Sequence, residues 1–443
     1  MMKNPFPQLM SRNLLLVLNG SMHAVSQVIR TAVAFLTIPI VLNYLGKEAF
    51  GIWMIALSFL SLIGFMQGGV SGALINLIAK SKRNLNAISQ TLAATLSLTL
   101  LLALSISVIA AIVAIYCPWE RLFSSEGIVS QRELSLLIFI LCSSAGFSIV
   151  ALVPKFALIG SQQAYWAHSI DIIATLISGG LVIAAALTKQ PMWLLAIAFS
   201  FGRQVPLFLI GIGFLKFKLK LKGLLKFQLN KSTTRILLGA GSLLTIIQIS
   251  HALANHADLT LIGIYSDLSG AADYALVQKL FTLPVIIMSF INLALWPAFT
   301  KAKAEGDPVW IMRIFRRNIF ITTLAASLFA ICMGLAVNWL LKYWVGGTTE
   351  VGTLLILGMV LKTIIIVPIS NVNNLLKSLG LFKFIAVLAA CMVIINVPIS
   401  IFLIKQIGAA GAVFGSVIAY TIFLLIPYII SAPKLISESL ESD

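Results

Sequence analysis

Arg30 sits in the stretch QVIRTAVAFL (27–36), within a run that carries no other Lys, Arg, Asp or Glu from Asn13 to Leu45. A guanidinium stays charged at any physiological pH and offers a planar fork of donors that suits phosphate or carboxylate. At 3.6 residues per turn, Asn19, His23, Ser26 or Gln27, Arg30 and Thr37 fall along one helical face. A second such face holds Gln248, His251, Asn255 and Asp258, at spacings of 3, 4 and 3. Other apolar runs enclose Asp171 with His168, Arg203, Lys279 and Lys362. The deep cations Arg30, Arg203, Lys279 and Lys362 outnumber the deep anions Asp171 and Asp258. A buried surplus of positive charge is unfavourable unless water or an anionic ligand neutralises it. These four cations, with Gln27, Gln248 and Asn255 as hydrogen-bonding neighbours, therefore form a candidate anion-binding set. Asp258, His251 and Asp171 form a candidate set for exchanging a coupling ion.

A structural alternative competes with each assignment. Arg30 and its fellow cations would then only pair with carbonyls, or with Asp171 and Asp258, to hold helices together. Hydrogen bonds between membrane helices contribute only about 1 kcal/mol, less than the cost of inserting the charge, so stability is a poor reason to keep them. His168 and Asp171 also fit an ordinary i, i+3 pair. Lys155 lies near the end of its run, where the expected behaviour is snorkelling to the interface.

The elements that position these residues follow from composition. Of 443 residues, 60% are hydrophobic and 10% charged, against about 25% charged in soluble domains. Uncharged runs such as 49–79, 84–119, 236–257, 280–300, 384–404 and 406–433 reach or exceed the roughly 20 residues a membrane helix needs. They are apolar all round, which excludes the alternating ten-residue segments of an outer-membrane barrel. The expected fold is an all-α polytopic membrane protein of about twelve spans, centred near residues 30, 64, 102, 147, 177, 204, 250, 286, 330, 365, 394 and 420. Only TKQP (188–191) divides the fifth from the sixth. The stretch after Lys3 and Arg12 is too long and too polar for a signal-peptide core, so an uncleaved first span is expected. The four cysteines show no metal-ligand spacing and read as small hydrophobes.

Alternate connections differ in charge. Twenty Lys and Arg fall on one side, from Lys3 and Arg12 through seven between Lys216 and Arg235 to Lys434, whereas six fall on the other. The positive-inside rule then places both termini in the cytoplasm. The same asymmetry accounts for most of the net charge of +17, so short loops facing anionic lipid are its partners and nucleic acid is not. The densest stretch, KFKLKLKGLLKFQLNK (216–231), interleaves Lys with Phe and Leu and fits an interfacial linker better than a dedicated regulatory site.

An internal repeat organises the chain. Residues 19–46 align without gaps on 240–267, pairing Gly20 with Gly241, Ser21 with Ser242, Gln27 with Gln248 and Tyr44 with Tyr265. The same offset carries Lys80 and Lys82 onto Lys301 and Lys303. Two six-helix lobes, 1–222 and 223–443, are expected, related by a pseudo-two-fold axis along the membrane normal because each has an even number of helices. Prolines interrupt many spans, as in PISNVNN (368–374), and suit helices that bend between states. No GxxxxGK[ST], HExxH or GxSxG occurs, and the longest outward loop runs only from Pro118 to Glu133. Neither an enzyme nor a cofactor or metal is expected, and no filter-like repeat suggests a channel. Secondary transport by alternating access is the economical expectation.

The segment LTIPIVLNYLGKEAFGIWMIALSFLSLIGFMQGGVSGALINLIAKSK (36–82), with its YLG-x-x-x-[FY]-G-x-W turn at Tyr44, Leu45, Gly46, Gly51 and Trp53, resembles the start of Wzx-type O-antigen flippases. These are polysaccharide transporters of the multidrug/oligosaccharidyl-lipid/polysaccharide superfamily. The resemblance implies transfer of an undecaprenyl-pyrophosphate-linked oligosaccharide across the bacterial inner membrane for lipopolysaccharide biosynthesis, coupled to H+ or Na+ and alongside other polysaccharide-assembly proteins. A multidrug exporter of the same fold would want anionic or aromatic surfaces for cationic drugs, which Arg30 and Lys362 disfavour. A glycan-assembly enzyme is the further alternative, and it would carry its acids or arginines on larger loops.

Overall fold

In a lipid environment every backbone N–H and C=O must be satisfied within its own segment, so long apolar runs fold as helices. The computed structural model describes residues 12–441 except 65–66, 82–83, 124, 126, 222, 225, 240–241 and 347–349. Every regular element among the described residues is helical. In chain order these are α1 (Arg12–Leu45), α2 (Lys47–Gly64), α3 (Gln67–Lys80), α4 (Leu85–Tyr116), α5 (Trp119–Leu122), α6 (Gln131–Ala151), α7 (Val153–Gly160), α8 (Ala164–Leu187), α9 (Met192–Gly213) and α10 (Lys231–Gly239). They continue as α11 (Ser242–Tyr265), α12 (Leu268–Phe281), α13 (Leu283–Ala304), α14 (Pro308–Val345), α15 (Thr353–Ser378), α16 (Phe382–Ile407), α17 (Ala409–Tyr420), α18 (Ile426–Ile430) and α19 (Ala432–Glu441). Among the described residues, ten helical stretches are long and apolar enough to cross a membrane. The protein is a multi-pass membrane protein. The spans expected near 64 and 250 correspond to the broken pair α2 and α3 and to the polar α11, and neither is among those ten.

Proline fixes the helix breaks. Pro154 and Pro284 stand at the first turn of α7 and α13, and Pro427 at that of α18. Without an N–H, Pro154 and Pro284 are tolerated where turns at Leu152 and Thr282 precede them, and Pro427 follows the π-turn Thr421–Leu425 within a continuous helical stretch. TKQP is a turn: Thr188 caps α8, Lys189 takes φ +53 and Pro191 precedes α9.

The chain divides into two compact units, Met1–Gly46 with Phe59–Thr245, and Lys47–Ser58 with Ile246–Asp443. In the first unit α8 lies along both α1 and α9, and α6 packs on α4 and α9. Its core gathers Leu74, Leu92, Leu158, Ala167, Ala174 and Leu207. In the second unit α15 packs on α13, α14 and α17, around Phe299, Leu375, Leu376, Met392 and Tyr420. Many of the side chains left outside both cores are apolar, among them Leu104, Val108 and Ile112 on α4 and Phe320, Leu328 and Leu335 on α14, as lipid-facing surfaces require. Hydroxyls on α4 are satisfied by their own helix: Thr95, Ser97, Thr99 and Ser107 each donate to the carbonyl four residues earlier.

The YLG-x-x-x-[FY]-G-x-W motif is explained by geometry. Gly46 has φ +78, and its N–H bonds the Leu42 carbonyl at 2.8 Å to close α1, a left-handed terminus that glycine alone adopts without strain. Tyr44 donates to the Gln190 carbonyl at 2.6 Å, and Trp53 is buried. Gly51 lies against the Leu268 carbonyl so closely that a Cβ would collide with backbone. Gly51→Val is therefore expected to lower stability by about 3 kcal/mol and to deplete folded protein from membranes. A melting midpoint in detergent equal to wild type would refute this close approach.

Candidate functional site

Asp171 is the centre of the charged cluster of the first unit. It lies on α8, fully buried, two turns into a helix that begins at Ala164. Three cations from three other helices reach it. Arg30 Nη2 on α1 donates to Oδ2 at 2.8 Å, Lys155 Nζ on α7 to Oδ2 at 2.8 Å, and Arg203 Nη2 on α9 to Oδ1 at 2.7 Å. Ser26 Oγ, one turn before Arg30, adds a bond to Oδ2 at 3.3 Å. The polar face expected of the first helix therefore meets the fifth, which is why α1 and α8 pack along each other.

Lys155 corrects the snorkelling expectation. Its side chain is only 12% accessible and its ammonium points inward onto Asp171. The signal for this lies in hairpin symmetry: 155 and 171 are 16 apart, equidistant from Gln163 in the turn between α7 and α8. Asp171 and Arg203, 32 apart, are equidistant from Leu187 at the next turn.

One carboxylate cannot neutralise three cations, so the cluster keeps a surplus of two positive charges. Arg30 and Arg203 remain accessible over 42% and 33% of their side chains, and the Nε of each is without a hydrogen-bond partner. Buried donors without partners are rare and call for an explanation. Beside them His23 and His168 meet edge to face, ring centroids 4.8 Å apart, and His168 Nδ1 is also unpartnered. Gln27 is partly buried on the same stretch of α1, where its carbonyl accepts from Thr31 Oγ1 at 2.9 Å. The arrangement can hold an anion with two negative charges while Asp171 keeps the cations in place.

The second unit arranges its charges differently. Asp258 on α11 is fully buried; its Oδ2 accepts from Lys362 Nζ on α15 at 3.1 Å, Tyr274 OH on α12 at 2.9 Å and Ser416 Oγ on α17 at 2.9 Å. Lys362 Nζ also lies 3.4 Å from Tyr274 OH and 5.9 Å from the ring centroid. Asp258 and Tyr274, 16 apart, flank the α11–α12 turn symmetrically about Ser266. Here one cation meets one anion, the site is closed, and Lys362 is 9% accessible. Asp258 Oδ1 has no hydrogen-bond partner. Lys279 on α12 is partly buried, and no acid pairs with it among the described residues. The side chains of Gln248, His251 and Asn255 lie outside the described residues. The structure thus brings Arg30, Arg203 and Asp171 together, keeps Lys362 with Asp258 in a separate site, and adds Lys155, Tyr274 and Ser416.

Removing one member of a closed pair leaves the other charge buried alone, whereas removing both is often nearly neutral. Lys362→Met is therefore expected to cost about 3–5 kcal/mol, and Asp258→Asn combined with Lys362→Met clearly less. Additive losses in thermal unfolding of the two single variants and the double would disprove the coupling.

PISNVNN (368–374) is a polar clamp rather than a bare kink. Asn318 on α14 donates to Asn371 Oδ1 at 2.7 Å, and Asn371 Nδ2 donates to Thr322 Oγ1 at 3.0 Å.

The family model described as "Polysaccharide biosynthesis protein" matches residues 16–303. No curated protein matches the chain. Among solved structures, the fold is similar to an inward-facing multidrug resistance MATE family transporter of the MOP superfamily, with TM-score 0.75 and 15% identity, over 93% of this chain and 96% of that one. It is also similar to the lipid II flippase MurJ in an inward closed conformation, with TM-score 0.68 and 13% identity, over 94% and 89%. A MOP superfamily transporter from Pyrococcus furiosus, described by a reversed polarity of its binding pocket, has TM-score 0.62 and 14% identity, over 99% of both chains.

Proposed function

Because the chain belongs to the polysaccharide biosynthesis protein family, we propose that it is a flippase for a lipid-linked oligosaccharide. Its substrate in this reading is undecaprenyl-pyrophosphate-linked O-antigen repeat unit, moved from the cytoplasmic to the periplasmic leaflet of the bacterial inner membrane by alternating access. The single observation that carries the proposal is the cluster of Arg30, Lys155 and Arg203 on one carboxylate. Its surplus of two charges matches a pyrophosphate diester, which bears about two negative charges at neutral pH, and guanidinium forks suit phosphate oxygens. Such a cluster would repel the cationic drugs that a multidrug exporter handles.

Both termini lie in the cytoplasm in this reading, by the distribution of Lys and Arg, and the halves 1–222 and 223–443 act as the two lobes of the cycle. Asp258 is the carboxylate proposed to exchange the coupling ion, H+ or Na+, with His251 on the same helix. Its partnerless Oδ1 supports that role, since a lone acceptor oxygen is free to take a proton or a cation. Asp171 would serve as resident counter-ion.

The test is the amount of lipid-linked repeat unit on each face of the inner membrane after deletion of the gene and its restoration. Build-up on the cytoplasmic face, relieved by the wild type, is expected. Failure to make the lipid-linked unit at all would show an assembly role, and unchanged pools with altered drug susceptibility would show an exporter.

A further inference from the structure

We infer that Lys216, Lys220 and Lys226, with the apolar side chains beside them at the end of α9, form a binding site for one anionic glycerophospholipid, separate from the Asp171 cluster. The chain leaves α9 through a π-helical turn, Phe214–Lys218, and folds back on itself, with Leu221 N–H bonded to the Leu215 carbonyl at 3.2 Å and Lys226 N–H to the Gly223 carbonyl at 3.2 Å. Gln228 N–H is tied to Ser97 Oγ on α4 at 2.9 Å. The result is a recess of about 700 Å³ bounded by Ile212, Phe217, Leu221 and Leu224 and by the ammonium-bearing Lys216, Lys220 and Lys226.

Three features show that this recess is more than a solvated charge run. Its floor is anchored, since Leu215, Leu219, Leu221 and Leu224 are buried in the core of the first unit, whereas Phe217 is 78% exposed. An aromatic left outside the core beside lysines belongs at a membrane interface. Lys220 holds φ +55, a left-handed conformation that a residue with a Cβ adopts only at a cost and that concentrates where strain serves a function. Finally, no acid pairs with Lys216, Lys220 or Lys226 among the described residues.

Three ammonium groups without an acid partner among the described residues, one of them 5.6 Å from the Phe217 ring centroid, over an apolar wall match a phosphate headgroup above an acyl chain. Each lysine near an anionic surface contributes about fivefold in affinity. A membrane lipid is the occupant that satisfies wall and rim together; a free phosphate would leave the apolar wall bare.

Lys220→Gly separates this role from folding, because glycine takes φ +55 freely and removes one ammonium. The full chain in detergent would be titrated with phosphatidylglycerol and, separately, phosphatidylcholine, and bound lipid counted by native mass spectrometry. One tightly retained phosphatidylglycerol is expected. Its affinity should fall about fivefold in Lys220→Gly, whose melting midpoint is equal to or above that of wild type. The joint change of Lys216, Lys220 and Lys226 to Gln should abolish retention, while Lys301→Gln with Lys303→Gln should leave it unchanged. Equal retention in wild type and Lys220→Gly, equal retention of both lipids, or full displacement by 10-fold excess inorganic phosphate would each overturn the assignment.

Discussion

Asp171→Asn is expected to cost the first unit about 3–5 kcal/mol and to abolish transport. Asp171 is the shared counter-ion of Arg30, Lys155 and Arg203, and an amide of the same shape removes the charge without opening a void. The three cations would then face one another across a few ångströms. Arg30 and Arg203 keep about a third or more of their side chains accessible and would be free to turn outward, but Lys155, at 12% accessible, has nowhere to go. Its stranded charge makes up most of the loss, since removing one partner of a buried pair leaves the other uncompensated. A fall of the melting midpoint on the order of 10 °C in detergent is expected for a unit of this size. Adding Lys155→Met should restore part of that fall, because it removes the stranded charge together with its partner. An unchanged midpoint in Asp171→Asn, or no recovery in the double variant, would show that the carboxylate does not organise the cluster.

Arg30→Ala should leave the fold nearly intact while stopping transport. Asp171 retains Lys155, Arg203 and Ser26 as partners, and an ion pair whose cation is 42% accessible contributes at most about 1 kcal/mol after screening by water. Transport depends on the other side of the guanidinium. If Arg30 holds a phosphate oxygen, losing a charge-assisted hydrogen bond of about 1.5–3 kcal/mol lowers flipping by about ten- to a hundredfold. Arg30→Lys keeps the charge and loses the fork, and should recover only part of the rate. The measurement is the outer-leaflet pool of lipid-linked repeat unit, beside the level of membrane-inserted protein. Normal surface glycan in Arg30→Ala would remove this residue from the transport path, and a collapse of protein level would make its role structural.

Gly46 and Gly51 show how a sequence motif encodes backbone geometry. Each needs the missing Cβ for its own reason: Gly46 for a left-handed helix terminus and Gly51 for contact with the Leu268 carbonyl. Motifs of this kind identify a family without identifying its site. The charged residues behave oppositely. Their types are visible in any apolar run, but their partners are not.

The sequence by itself determined that the chain is helical and membrane-spanning, because about 20 apolar residues in lipid have no other way to satisfy their backbone. It also determined which ionisable side chains are exceptional, whereas the turn-symmetric spacing of several pairs became readable only once the structure placed the turns. Lys155 with Asp171, Asp171 with Arg203 and Asp258 with Tyr274 each straddle a turn at equal distances, and two antiparallel helices of equal rise bring such positions level. Only the tertiary structure decided the long-range pairings, Arg30 with Asp171 across 141 residues and Lys362 with Asp258 across 104. Helical periodicity fixes which face a residue occupies and says nothing about which helix faces it. That choice made Lys155 a buried partner rather than an interfacial anchor, left a positive surplus around Asp171, and closed Lys362 into a balanced pair with Asp258.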